Sequence, residues 1–575
     1  MWRPLPGSYL EEAAPLELHR YLVPFDAREA PAYRFDVVIV GGGAAGGMAA
    51  LAAADRGASV AVLAKGELRE SNTNQALGGV AAVLSSADSF AVHAADTLRV
   101  GLGLAEKSVV EAVVRAGPLA IQELLELGAD LDRASDGGFE LSKEGGHTHP
   151  RIVHAQGDST GLEIQRTLSS ALERHPRISC FTHLFAIDVL TEGAGEERTA
   201  AGVLCRTQRG ERVAFGAGQL VMATGGAGQI WRETTNPAIA TGDGLAMGLR
   251  AGAIVRDLEF VQFHPTCLYI AGAARVLISE VVRGAGGVLR DRHGVRFMPQ
   301  YHPQAELAPR DVVSRAVFAR MVATDDTSVY LDLSDVDTDP HLAFPGISRI
   351  CRFFGIDIAR DPIPVLPGAH YIIGGLLVDL DGQTTLPGLW AVGECASTGL
   401  HGANRMGSNS LLEALVLGRR CGARAAGRAL SSAAKVLSGT GGGEGPRPPA
   451  GVEVNIEDLT YSLKSMMWRQ MGVERAGAGM EDALDKLRFW NRAVRELGSS
   501  DPRTWELLNM LTVSQVATLA AIAREESRGV HYRTDFDLTR PEWHVHTAVV
   551  PVWTGSRVRA VRLVRQPVGE PLIAR

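Results

Sequence analysis

Cysteine is scarce and scattered in this 575-residue chain. The six thiols stand at Cys180, Cys205, Cys267, Cys351, Cys395 and Cys421, with no C-x-x-C among them. That spacing argues against an iron–sulfur cluster or a structural zinc site. It fits reduced thiols in the cytoplasm better than a disulfide framework. A charge excess is also missing: a formal net charge of −7 and a pI of about 6.2 leave no basic footprint for nucleic acid. Long apolar runs are absent. Leu507 to Ala523 carries no charge but is interrupted by Asn509, Thr512, Ser514, Gln515 and Thr518, so it reads as a buried helix rather than a membrane span. The first residues lack the basic, apolar and small-residue pattern of a secretory signal, and no internal repeat is found. What remains is the composition of a soluble globular protein, 46% hydrophobic and 21% charged. Its length calls for roughly two to four domains.

The most informative stretch is Phe35 to Lys65. Phe35 to Val40 is an apolar strand of the kind buried in a parallel sheet. Gly41, Gly43 and Gly46 then spell G-x-G-x-x-G, Ala44 to Arg56 is an Ala-rich helix stopped by Gly57, and Ser59 to Leu63 is a second strand. Gly41 permits the tight turn. Gly43 lets a pyrophosphate approach the backbone, beside Ala44 and Ala45, and Gly46 lets helix and strand pack closely. The helix N-terminus presents N–H groups to the anion. This is a dinucleotide site by context; a plain buried strand–helix unit is the alternative. The ribose-binding acid of an NAD site is missing, because Lys65 stands there with Glu67 two residues on.

Residues 1–34 read as an extended lead-in. Residues 35–255 and 368–437 read as one discontinuous dinucleotide-binding domain, interrupted by a mixed segment at 256–367. In the first part, helices are expected at Val109–Leu127, Ile164–Glu173 and Gly242–Arg250, and short strands at Phe181–Leu190, Gly202–Thr207, Arg212–Phe215 and Gln219–Ala223. In the second, Leu389–Val392 is a strand and Leu411–Ala429 a long helix. Residues 438–451 are a Gly/Pro-rich linker. Residues 452–540 are a helical domain, with Leu508, Leu511, Val516, Leu519 and Ile522 on one face. Residues 541–575 are a tail of unassigned structure.

Further cofactor signals follow. The strand before Gly393 ends at Glu394, an acid placed either to reach ribose or ribityl hydroxyls or to sit at a helix N-terminus. Ser410 in Asn409-Ser410-Leu411 is placed to N-cap a helix aimed at flavin N1 and O2. Polar residues cluster at Lys143–His147, Phe263–Thr266, Glu306–Asp311, and Ala369–Tyr371 with His401–Arg405. Taken singly, each reads equally well as surface or core polarity. His147, His149 and His154 are badly spaced beside Pro150 and lack a completing thiolate or carboxylate, so no metal site is expected.

Taken together, the strings VIVGGGAAG, LGGVAAVL, EGGHTHPRIVHAQGDSTG, LEFVQFHPT, ISEVVRGAGGVL, ELAPRDVVSRA, HYIIGG and GLHGANRMGSNSLLEALV resemble the succinate dehydrogenase/fumarate reductase flavoprotein family. The resemblance runs from about Phe35 to Leu430, and ESRGVHYRTD at Glu526–Asp535 is similar to its L-aspartate-oxidising branch. It implies an α/β fold: a Rossmann-like FAD-binding domain interrupted by an α+β capping domain and followed by a C-terminal helical domain. It implies FAD held by Gly41, Gly43, Ala44, Ala45, Gly46, Lys65, Asn72, Thr73, Gly78, Gly79, Thr224, Gly225, Asp243, Glu394, Asn409, Ser410 and Leu411. Asn72 stands where respiratory members carry the His that bonds flavin, so the FAD is expected to be noncovalent. Leu77 replaces the family's Gln, and Ser279 its Thr.

By the same resemblance, His264, Ser279, His370 and Arg405 hold the carboxylates of a C4 dicarboxylate, and Glu144 meets a substrate ammonium. Arg310 stands at the proton-transfer position. An Arg is a poor base, so that role needs a relay through Glu144, Glu280 or Asp311; otherwise Arg310 is purely electrostatic. His264 and His370 complete the catalytic set. The implied reaction is oxidation of L-aspartate to iminoaspartate, with O2 or fumarate as acceptor and quinolinate synthase downstream, at the start of NAD biosynthesis. A soluble fumarate reductase, a succinate dehydrogenase flavoprotein subunit and a noncatalytic flavin module are the competing readings.

Overall fold

The computed structural model describes residues 13–26, 30–193, 195–431, 440–441, 454–554 and 557–570. At its centre lies a seven-stranded sheet. Ile178–Phe181, Val60–Leu63, Ala32–Val40 and Arg212–Met222 run parallel in that order, each buried run supplying β-branched side chains to both faces. Thr199–Arg206 and Phe185–Glu192 continue it antiparallel, and Leu389–Ala391 joins the far end of Arg212–Met222 in parallel. The last strand is supplied after the interruption, so the second stretch of the chain does return to the first sheet.

Two sequence assignments change here. Arg212–Phe215 and Gln219–Ala223 are one strand, Arg212–Met222, because Gly216 between them pairs with Arg34 and Gly202 and Ala217 with Phe35. Phe181–Leu190 is two strands at opposite ends of the sheet. Helix Phe90–Val100, capped by Ser89 accepting from Val92 N–H, was not expected. Helices Ala44–Asp55 and Asn409–Ser431 pack together closely enough that a Cβ at Gly422 would lie 2.0 Å from the Ala49 carbonyl oxygen.

The interrupting segment forms a five-stranded sheet in the order Val276–Leu277, Val261–Leu268, Ile363–Ile372, Val329–Asp332 and Val288–Arg290. Helices Arg310–Thr324 and Pro345–Phe353 pack on it around Leu289, Phe297, Val313, Leu331 and Ile363. The expected boundary at 367 falls inside strand Ile363–Ile372.

Helices Ile456–Gln470, Gly477–Glu496 and Pro502–Ala523 follow. The last is the one helix among the described residues long and apolar enough to cross a membrane, and 83% of that window is buried inside the protein. It is apolar nearly all round rather than on one stripe, as a helix enclosed by its own fold should be. The tail forms a hairpin, Val545–Thr554 with Arg557–Pro567. This hairpin joins Ala14–His19, Val255–Arg256, Gly375–Leu377 and Ala396–Ser397 in a six-stranded sheet. Part of the expected lead-in is therefore a sheet strand. The linker lies outside the described residues except Thr440–Gly441, which pair with Phe25–Asp26.

Candidate functional site

One long cleft runs along the ends of the parallel strands. Gly41 to Ala45, Lys65, Asn72, Thr73, Thr224, Gly225, Asp243, Glu394, Ser410 and Leu411 line it together with His370 and Tyr371. The glycine turn is built as its spelling predicts. Gly41 has φ +114° and a Cβ there would lie 2.1 Å from the Ala223 carbonyl oxygen; one on Gly46 would lie 2.0 Å from the Gly41 carbonyl oxygen. Gly43, the N-cap of helix Ala44–Asp55, offers no side-chain acceptor, and only Thr73 Oγ1 enters, taking the Ala44 N–H at 3.0 Å. A dinucleotide pyrophosphate fits this open first turn.

At one end of the cleft Lys65 donates to Thr241 Oγ1 and Asp243, and pairs with Glu506 at 2.5 Å. Although burial works against its charge, Asp243 and Glu506 hold its pKa above the ordinary lysine value. Further along, Glu394 accepts from Ile372 N–H at 3.0 Å and from Asn72 Nδ2 at 2.7 Å. Burial raises its pKa.

Three expected cofactor contacts, Asn409, Gly78 and Gly79, do not line the cleft, and Ser410 lines it without the expected capping role. Asn409 turns its side chain away, between His93 Nε2 and Thr97 Oγ1. Ser410 is not an N-cap: the helix begins at Asn409, and Ser410 Oγ accepts from Arg405 at 2.6 Å. Gly78 and Gly79 lie off the cleft. Gly78 abuts Glu144 and Ser408, and a Cβ on Gly79 would lie 2.3 Å from the Val153 carbonyl oxygen.

The polar residues of the interrupting segment close over the cleft. His264 and His370 have ring centroids 5.3 Å apart. Gln262 Oε1 accepts from Arg310 at 3.4 Å and from Arg405 at 3.2 Å, holding two guanidinia around one oxygen. Arg310 Nε donates to Glu280 at 2.6 Å, and its Nη2 lies 4.0 Å from Glu144. Ser408 Oγ donates to Glu144 at 2.9 Å. Gly407 allows this packing, since a Cβ there would lie 2.4 Å from Glu144 Oε2. Ser279 is buried at the N-cap of helix Glu280–Gly284. Asp311 is turned toward Arg315 and Asn404, whereas Glu280 and Glu144 face Arg310.

The charges sort cleanly. Burial, then Arg310, holds the His264 pKa well below the ordinary value, and burial, then Arg405, does the same to His370. Both imidazoles are therefore neutral rather than cations. His264 Nδ1 accepts the Thr266 N–H at 3.3 Å, which puts the proton on Nε2, a buried atom with no partner among the described residues. Burial lowers Arg405 to about 10, so it stays charged. Burial also raises Glu144, whereas Glu280, despite burial, is held at about 2 by Arg310 and Arg283. One site thus offers two guanidinia, two neutral imidazoles and two acidic side chains, of which Glu280 is already bonded to Arg310.

Gln262, Tyr371 and Ser408 were not assigned roles from the sequence, whereas Glu280 was named there as a possible relay for Arg310 and is bonded to it. Gln262 had a readable signal, being two residues before His264 on the same face of an otherwise apolar strand. His147 donates to the Gly407 carbonyl and accepts from Arg151, which is buried between Asp88 and Asp96. His154 bonds Ser142.

Known proteins share this arrangement. The family described as FAD binding domain matches residues 36–411, and that described as Fumarate reductase flavoprotein C-term matches 460–569. An L-aspartate oxidase of Mycobacterium tuberculosis is 43% identical over 518 residues, covering 89% of this chain and 95% of that protein. A chloroplastic L-aspartate oxidase of Arabidopsis thaliana is 40% identical, covering 92% and 86%. A solved E. coli quinol fumarate reductase chain superposes with a TM-score of 0.84 at 32% identity, over 95% of this chain and 99% of that one.

Proposed function

The chain belongs to the succinate dehydrogenase/fumarate reductase flavoprotein family, with FAD as its cofactor, and we propose that it is an L-aspartate oxidase. The reaction is oxidation of L-aspartate to iminoaspartate, the first step of de novo NAD biosynthesis. The Cα–H bond breaks, a C=N bond forms, and the substrate nitrogen gives up a proton. When bound, FAD supplies the two-electron acceptor for the hydride from Cα.

The observation that carries the reading is Glu144, a buried carboxylate set 4.0 Å from Arg310 within a cluster otherwise built for anions. A simple diacid gains nothing from a buried carboxylate. An amino diacid does, because its ammonium takes the carboxylate as partner. Arg405 and Arg310 supply charge to the substrate carboxylates, and His264 and His370 supply neutral N–H donors. Ser279 adds a hydroxyl at the mouth of the helix that carries Glu280. The Arg310–Glu280 pair gives the arginine a hydrogen-bonded neighbour through which a proton can be passed, which a lone guanidinium lacks. The capping segment would exclude water from the substrate site when FAD and substrate are bound.

Anaerobic mixing of the FAD-loaded protein with L-aspartate tests this. Rapid bleaching of the flavin by L-aspartate, and slow or no bleaching by succinate, is expected; the reverse order would replace the reading with a succinate dehydrogenase or fumarate reductase. Reoxidation by O2 should yield hydrogen peroxide, and reoxidation by fumarate should yield succinate. The imine product is unstable in water, which supports direct consumption by a quinolinate synthase. Six free thiols support a reducing compartment such as the cytoplasm.

A further inference from the structure

Arg405 is only 4% exposed, yet among the described residues it forms no ion pair. Its hydrogen bonds go to the neutral acceptors Gln262 Oε1 and Ser410 Oγ, and its guanidinium carbon lies 4.8 Å from the centre of the Tyr371 ring. Arg310, by contrast, is bonded to the carboxylate of Glu280. A carboxylate laid against Arg405 would cancel the charge on which a bound diacid depends. A π face holds the cation through its quadrupole and cancels nothing.

Tyr371 is itself fixed from behind. Its hydroxyl donates to Glu413 Oε2 at 3.1 Å. The same carboxylate takes His401 Nε2 at 3.0 Å and Thr398 Oγ1 at 2.5 Å. The His401 ring meets the Tyr371 ring edge-on, with centroids 5.3 Å apart. Glu413 is 1% exposed and stands on helix Asn409–Ser431, close after Ser410. One helix end therefore grips Arg405 twice, directly through Ser410 and indirectly through Glu413 and the phenol. Donation from the phenol to a carboxylate enriches the ring and strengthens its face toward a cation.

We propose that Tyr371, tethered to Glu413, is the positioning residue that presents Arg405 to the substrate carboxylate as an unneutralised cation. The proposal rests on the dicarboxylate reading given above.

The test is a double-mutant cycle on the FAD-loaded protein, titrated anaerobically with succinate and followed by the flavin difference spectrum. Tyr371→Phe keeps the ring and cuts the tether; Glu413→Gln removes the charge. Each should weaken succinate about 3- to 10-fold and raise KM for L-aspartate in parallel, with kcat changed less than about threefold. The double variant should be no worse than the poorer single one, because both cut the same link. Tyr371→Leu should cost about 30-fold or more, and Tyr371→Trp should recover most of that. Additive losses in the double variant would mean that Glu413 acts by another route and would overturn the proposal. So would succinate affinity unchanged in both single variants. If Tyr371→Leu does not fold, the cycle on the other two positions still decides. Failure of the unmutated protein to bind either diacid would overturn the dicarboxylate reading itself, and this proposal with it.

Discussion

Ser408 donates to Glu144 at 2.9 Å from a backbone held at φ +60°, a conformation that a serine adopts at a cost. The strained residue fixes the carboxylate that faces Arg310 across the site without being hydrogen-bonded to it. Neutralising it with Glu144→Gln should raise KM for L-aspartate by about 10- to 100-fold, the scale of a lost charge-assisted hydrogen bond. Fumarate reduction, which presents no ammonium, should change little. Steady-state assays of both reactions on one preparation check this, and equal losses would remove Glu144 from amino-group recognition.

The pH dependence of binding follows from the raised pKa of Glu144, caused first by burial. Below the ordinary carboxylate range the group is protonated whether the chain is folded or not. As pH rises through the folded pKa it must ionise in a buried place, so its contribution to the stability of the empty protein is lost. Aspartate binding has the opposite sign, because the ammonium needs the ionised form. The rise in Tm on adding L-aspartate should therefore be larger above the Glu144 pKa than below it. Thermal shifts across a pH series measure the difference, and a flat profile would contradict it.

Arg310→Lys keeps a charge but loses the fork that reaches both Glu280 and Gln262. It should cost about 10²- to 10⁴-fold in kcat, the usual worth of a positioned proton-transfer group. Succinate affinity should move far less. A parallel loss of succinate binding would make Arg310 an anchor only.

Gly41→Ala places a methyl group 2.1 Å from a backbone oxygen at φ +114°. It should cost about 1–3 kcal/mol or more through strain alone and leave the protein purified without flavin. Gly43→Ala meets only side-chain atoms, Thr73 Oγ1 at 3.4 Å and Ser71 Cβ at 3.8 Å, so it should fold and lose FAD affinity selectively. Thermal denaturation with and without added FAD separates the two.

Unfolding the FAD-loaded protein in acid should release all of its flavin into the supernatant, because Asn72 is spent on Glu394 and has no nucleophilic ring nitrogen. Flavin remaining with the precipitated chain would point to attachment elsewhere.

The glycine turn was legible because its cause is local: three glycines, a strand and a helix within thirty residues. The strand returning at Leu389 was legible for the same reason, as an apolar run ended by a glycine. Glu280 was legible only as one of three possible partners of Arg310, and Gln262 only by its spacing from His264. What Gln262 does is set by two arginines brought in from other elements, which its spacing does not announce. The hairpin Val545–Thr554 was hidden by Pro551, which normally speaks against a central strand. Here Val255–Arg256 covers only Ala548 and Val549, so the proline sits beyond the reach of that neighbour. The misreading of Ser410 came from treating a hydroxyl near a helix start as a cap, when a guanidinium had first claim on it.

The six-stranded sheet sets a condition on how the chain reaches its native state. Ala14 lies opposite Val561, and the hairpin holding Val561 also pairs with Val255–Arg256, where the chain passes toward the capping segment. A chain that has formed its flavin cleft must keep that sheet edge unpaired until the Val545–Pro567 hairpin is available. Strands far apart in sequence thus secure the root of the capping segment.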